Sequence, residues 1–312
     1  MPPPIVPPAR WPPPVHPGDR VGVAALSGPV DPVALAAGLA NLAMLGFEPI
    51  PARNLRRREG LFAGDDRERL EGFHELLADR TLRAIFFARG GHGVLRLLPA
   101  IDWTLLAREP RALVGYSDLT PLLDQVVTRL GLVAFHGPMV ATDLARGLDG
   151  EERLSLLDAL AGRPGPSWQA AECWSEGVAR GVLRGGCLSL LTATLGTPWA
   201  TPFAGQILFW EEVGEPAYRL DRMLTHLELS GTLTGLLGTV IGRVVASDGE
   251  SGWGSERKPA GGESGGSCRG RPTVWGGASG HTVPNLTLPL GALVELDASR
   301  QLLVPLEPSE AP

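Results

Sequence analysis

Through the first half of the chain, short unbroken apolar runs alternate with longer stretches whose apolar residues recur at helical spacing. Arg20-Val-Gly-Val-Ala-Ala-Leu26 reads as a buried strand. Asp31-Pro32 supplies an N-cap followed by proline at the first helical position, opening a helix to Leu45. Phe47–Pro51 is a second strand, and Asp65 caps a helix through Ala78 with Leu70, Phe73, Leu76 and Leu77 on one face. Strands at Arg83–Ala88, Ala112–Gly115 and Leu132–Phe135, with a helix at Leu119–Leu130, continue the series. Strand and helix alternating in this way predict an α/β fold, a parallel sheet covered by helices on both faces.

The pattern breaks at Ala161-Gly-Arg-Pro-Gly-Pro-Ser167, which has the composition of a linker. We therefore expect a proline-rich lead-in at 1–16, an N-terminal domain at 17–160, a linker at 161–177 and a C-terminal domain at 178–312. The second half predicts strands at 178–184, 206–213, 236–246 and 273–276 and helices at 187–196 and 216–230. It closes in a hairpin, Ala292–Leu296 with Leu302–Leu306. Residues 247–271 are rich in Gly, Ser and charge and read as a mobile insertion loop.

Composition narrows the classes. With 44% hydrophobic and 20% charged residues over 312, the chain can bury a large core. The net charge of −6 implies no basic surface for nucleic acid or anionic lipid. Cys173, Cys187 and Cys268 are odd in number and unpatterned, so neither disulfides nor a metal cluster is expected. The proline-rich start does not resemble a signal peptide, and the longest apolar stretch, Pro32–Phe47, is too short to span a membrane. A cytoplasmic protein is the default expectation.

The candidate chemistry lies where strands end. Gly115-Tyr-Ser117-Asp118 joins a buried strand to a helix, so Ser117 projects at the C-terminal edge of the sheet, as a nucleophile does in a strand–turn–helix elbow. Leu119 stands where the second glycine of Gly-x-Ser-x-Gly would be, and the plainer reading makes Ser117 a helix N-cap. Arg89-Gly90-Gly91-His92-Gly93 follows the third strand, and its glycines bring backbone amides close to a phosphate or an oxyanion. It lacks the further residues of a dinucleotide fingerprint or a P-loop. Of the six histidines, His16 lies in the lead-in and His74 and His226 on helices, while His92 and His136 border these motifs. His281 sits in a glycine-flanked loop, Gly276-Gly-Ala-Ser-Gly280-His281. Glu211 and Glu212 end an apolar strand, where alternation allows only one of them into a given cleft.

These motifs, in this order, resemble the LD-carboxypeptidase family of serine peptidases. The resemblance runs through Arg89–Gly93, Leu98–Trp103, Val114–Thr120, His136–Met139, Gly185–Leu190, Ile207–Val213, Tyr218–Leu224, Gly280-His281 and Asn285–Gly291. It implies a flavodoxin-like parallel-sheet N-terminal domain plus a smaller C-terminal β/α domain. It further implies Ser117 as nucleophile, Glu211 as acid and His281 as general base, with the backbone amides of Gly90, Gly91 and Asp118 as oxyanion hole. His92 and Tyr116 would face substrate, no cofactor or metal is needed, and a homodimer is expected. Cys187 stands where the family usually has Asn, and His92 where it has an aromatic residue. The implied reaction is hydrolysis of the amide bond to a C-terminal D-amino acid, with murein tetrapeptide as substrate. A self-immunity amidase acting on a peptidyl-nucleotide, with Trp253 or Trp275 lining a pocket for the base, is the first alternative. A catalytically inactive binding module is the second.

Overall fold

The computed structural model describes residues 7–163, 165–245 and 270–306. Five strands of the first half, β1 (Arg20–Ala24), β2 (Glu48–Pro51), β3 (Leu82–Phe87), β4 (Ala112–Gly115) and β5 (Ala134–His136), form a parallel array in the order β5-β4-β3-β1-β2. Helices α1 (Pro32–Met44), α2 (Asp66–Ala78), α3 (Val94–Leu97), α4 (Trp103–Arg108), α5 (Thr120–Leu130) and α6 (Gly150–Leu160) occur among and after them. Val21, Val23, Ile85, Phe86, Phe87, Leu113 and Val114 are wholly buried. A parallel sheet covered on both faces needs apolar residues facing both ways, so its strands read as unbroken apolar runs.

The helix starts follow the residues that announce them. The Asp31 carboxylate accepts from the amides of Val33 and Ala34 ahead of α1. Asp65 and Glu68 form a reciprocal capping box at α2.

The second sheet is built from β6 (Trp168–Gln169), β7 (Glu172–Ser175), β8 (Val178–Cys187), β9 (Gln206–Val213), β10 (Gly238–Val245) and β11 (Thr273–Trp275), with α7 (Leu188–Ala193) and α8 (Ala217–Leu229) following β8 and β9. After β12 (Leu288–Leu290), the hairpin of β13 (Leu293–Asp297) and β14 (Leu302–Pro305) completes it, in the order β6-β14-β13-β8-β9-β10-β11-β7. The central run β8-β9-β10-β11 is parallel. A buried ion pair ties the halves together: Arg184 on β8 donates to Asp124 of α5 at 2.7 and 2.9 Å.

Three expectations are corrected. Segment 161–177 is not a bare linker, because β6 and β7 lie within it and pair with β14 and β11. The proline-rich segment expected as a lead-in at 1–16 packs on the N-terminal domain over its described residues, 7–16. Ala9 and Val15 are buried, and Val133 donates to the Arg10 carbonyl, since a proline-rich strand can pack wherever its missing donors face away. The C-terminal half also lends a strand to the first sheet, with β12 running antiparallel to β5. Residues 247–269 of the expected insertion loop lie outside the described residues. Among those described, no helix is long and apolar enough to cross a membrane.

Candidate active site

Ser117 leaves β4 in a left-handed conformation, φ 63°, at the head of a 3-10 turn that runs into α5. A side chain there costs about 1 kcal/mol, and no side-chain cap is made. The N-cap reading of Ser117 is therefore corrected: Tyr116 holds the N-cap position, Ser117 is the first residue of the turn, and its hydroxyl lies 3.1 Å from His281 Nε2. Gly90 packs against it so closely that a Cβ there would sit 2.8 Å from both Cβ and Oγ of Ser117. Only glycine lets the loop after β3 approach this near.

Asp118 is buried, and its Oδ2 accepts from Ser27 Oγ at 2.7 Å and from the amide of Val94 at 3.1 Å. One carboxylate thus fastens the serine turn to the loop after β1 and to the end of the Gly90–Gly93 loop. The backbone amides expected to receive an oxyanion, those of Gly90, Gly91 and Asp118, are held on neighbouring turns.

The acid comes from the other sheet. Glu211 is fully buried on β9, and its Oε2 lies 2.7 Å from His281 Nδ1 while also accepting the His281 amide at 3.2 Å. Alternation along β9 places Phe209 with Glu211 toward the first sheet, and Leu208 and Trp210 in a separate core under α7 and α8. Glu212 follows the second set. It accepts from the amides of Ser189 at 2.6 Å and Val213 at 2.9 Å, and the Cys187 thiol lies against it at 3.4–3.5 Å. The register separates the two carboxylates.

Burial works to lower the pKa of His281, but the hydrogen bond and the negative charge of Glu211 outweigh it, with Glu212 and Asp143 adding to them, so the imidazole titrates above its ordinary value. His136 behaves oppositely. Its ring is enclosed between Tyr116, 5.5 Å away, and Phe209, 4.9 Å away, and burial pushes it down to about 4. It stays neutral and packs beneath the site. Tyr116, expected to face substrate, is instead buried and sets its ring edge on His281 at 5.0 Å. His92 is exposed on the glycine loop beside Phe62.

One feature was missed from the sequence: a clamp on the histidine loop. Gly280 donates to Asn285 Oδ1 at 2.9 Å, and the Asn285 amide donates to Glu152 Oε1 of α6 at 2.6 Å. Gly280 itself must lack a side chain, since a Cβ would meet Glu211 Oε2 at 2.6 Å. Burial opposes ionisation of Glu152, but Arg146 and the amides of Asn285 and Asp149 hold its carboxyl below the usual range. The visible signal was only the capping box of Asp149 and Glu152. Asn285→Ala is expected to destabilise the protein by about 2 kcal/mol, because a buried carbonyl-type acceptor for Gly280 is lost. A lower denaturation midpoint together with a reduced kcat checks this, and an unchanged kcat would show that the loop holds without the clamp.

Two families of domain match the chain, the LD-carboxypeptidase N-terminal domain over residues 21–137 and the LD-carboxypeptidase C-terminal domain over residues 180–296. The chain belongs to the LD-carboxypeptidase family. A probable murein peptide carboxypeptidase of Bacillus subtilis is 35% identical over 92% of this chain and 91% of its own. Among solved structures, a muramoyltetrapeptide carboxypeptidase from Oxalobacter formigenes superposes with a TM-score of 0.79 at 27% identity, covering 93% of this chain and all of that one. MccF in complex with glutamyl sulfamoyl guanosine gives 0.84 at 21% identity, over 96% of this chain and 99% of that one, which establishes a shared fold. The expected α/β architecture, a parallel-sheet N-terminal part with a second sheet, is that of this family.

Proposed function

We propose that this LD-carboxypeptidase is a serine peptidase that hydrolyses the amide bond to a C-terminal D-amino acid, releasing D-alanine from murein tetrapeptide. The observation that carries the reading is the hydrogen-bonded series Ser117–His281–Glu211, with spacings of 3.1 and 2.7 Å. The murein-peptide names of its relatives supply the substrate class.

In this mechanism His281 Nε2 takes the Ser117 proton as Oγ attacks the carbonyl carbon. Glu211 holds Nδ1–H and stabilises the imidazolium. The tetrahedral oxyanion is received by the amides of Gly90, Gly91 and Asp118, a set of backbone donors that needs no reorganisation if it is fixed by the fold. His281 then passes the proton to the departing amine of D-alanine, and water repeats the sequence on the acyl-enzyme. His92, exposed at the rim, contacts the peptide, whereas Tyr116 steadies the imidazole from beneath. We place the enzyme in the cytoplasm as a homodimer. A base-binding pocket for a peptidyl-nucleotide would need an aromatic face from Trp253 or Trp275; Trp253 lies outside the described residues, and Trp275 has one face stacked on Trp174, with rings 4.9 Å apart and 7° from parallel.

The test is release of D-alanine from L-Ala-γ-D-Glu-meso-diaminopimelyl-D-Ala by the purified protein; no release would end the reading. Its pH profile is a further prediction. The base must be neutral, and a raised pKa keeps His281 protonated to higher pH, so the acid limb of kcat/KM should lie above the ordinary imidazole value of about 6.5. A limb at or below that value would mean another group limits the reaction.

A further inference from the structure

Cleaving the last amide bond of a peptide places a free carboxylate close to the reacting carbon, separated from it by only the amide nitrogen and one Cα. A carboxypeptidase thus has an anion to recognise on its leaving-group side. We infer that Arg89 binds this terminal carboxylate, an inference that rests on the reaction proposed above.

The first observation is charge balance. Most arginines drawn into the interior have an acid of their own: Arg69 has Asp66, Arg146 has Glu152 and Arg184 has Asp124. Arg111 has none within reach but spends its donors on four carbonyls, those of Leu76, Leu77, Asp79 and Glu109. Arg89 is half-buried and has neither arrangement. Its Nε donates to the Gly90 carbonyl at 3.2 Å and its Nη1 to the Pro29 carbonyl at 3.1 Å, and among the described residues no carboxylate lies within 4.0 Å. A guanidinium carries five N–H donors, so the edge bearing Nη2 is left for a ligand. A partly desolvated cation of this kind gains most from a planar anion that accepts two parallel hydrogen bonds.

The second observation is place. Gly90, whose carbonyl holds the Arg89 Nε, is the residue packed on Ser117. The same carbonyl accepts the Gly28 amide at 3.2 Å, and a Cβ on Gly28 would come 3.5 Å from Arg89 Nε. The guanidinium therefore lies against the glycine backbone of Gly28 and Gly90, the second of which packs on the nucleophile. Arg89 also opens the loop whose amides face the oxyanion, so one turn grips both the carboxylate and the carbonyl. Of the other cations, Arg243 is exposed on the histidine side, where its amide meets the Ser279 carbonyl at 3.2 Å. It is the natural control.

The experiment compares the tetrapeptide with its C-terminal amide, using wild type, Arg89→Gln, Arg89→Met and Arg243→Gln. A fluorophosphonate probe, which needs no carboxylate, reports whether Ser117 and His281 remain assembled in each. Wild type and Arg243→Gln are expected to favour the acid. In the Arg89 variants KM for the acid should rise about tenfold or more, kcat should change less, and the preference over the amide should vanish. An Arg89 variant that labels and still favours the acid overturns the assignment, as does loss of the preference in Arg243→Gln instead. If neither Arg89 variant labels, the residue is holding the loop together and the assignment also falls. Wild type that labels but cleaves neither peptide refutes the proposed reaction separately. Arg89 is then judged by protection: N-acetyl-D-alanine, and not its amide, should slow labelling of wild type and leave Arg89→Gln unaffected.

Discussion

Ser117→Ala should abolish release of D-alanine, lowering kcat by about three to six orders of magnitude, because the covalent route is lost and only the oxyanion site and substrate binding remain. The fold should survive. Alanine meets the same backbone cost at φ 63° as serine does, and the hydroxyl's hydrogen bond, to His281 Nε2, is one the fold does not depend on. The neighbouring turn is fixed by Asp118 through Ser27 and Val94, none of which the substitution touches. Thermal denaturation of the variant beside single-turnover kinetics on the tetrapeptide separates the two effects. A folded variant that kept more than about a tenth of wild-type turnover would rule out Ser117 as the nucleophile.

What the sequence disclosed and what it concealed divide along the range of the forces involved. Strand and helix positions in the first half were legible because each depends on neighbours a few residues away: apolar runs for β1 and β3, Asp31 and Asp65 at the helix starts. The two faces of β9 were legible for the same reason, since alternation alone parts Glu211 from Glu212. Which face meets the cleft is decided elsewhere, by the packing of Phe209 with the first sheet, and no local pattern carries that. β12 escaped notice because its pairing partner, β5, is far away in the chain and Leu288-Pro-Leu290 offers little of its own. The clamp of Glu152 on Asn285 spans 133 residues, and each end looks ordinary alone, one a helix-capping acid and the other a loop asparagine. Ser117 was ambiguous between cap and nucleophile because both readings use the same strand–helix junction. Backbone conformation distinguishes them, and a left-handed serine leaves no trace in composition.

The acids provide the remaining large effect. Glu211→Gln should reduce kcat by about three to four orders of magnitude while KM for the tetrapeptide changes little, since an amide cannot offset the imidazolium that forms as Ser117 attacks. It also loses the charge that raises the His281 pKa against burial, so the acid limb of the rate profile should move to lower pH in whatever activity remains. Glu212→Gln keeps the volume and one acceptor oxygen, enough for the amide of Ser189 or of Val213 but not both, since each bonds a different carboxylate oxygen, so a modest loss of stability is expected. Burial already pushes the Glu212 carboxyl upward, so a neutral side chain suits that pocket, and kcat should stay within about tenfold of wild type. Steady-state kinetics of the two variants across pH decide the assignment. A greater loss at Glu212, or an acid limb that fails to move in Glu211→Gln, would mean that the carboxylate 2.7 Å from His281 Nδ1 is not the one that carries the proton transfer.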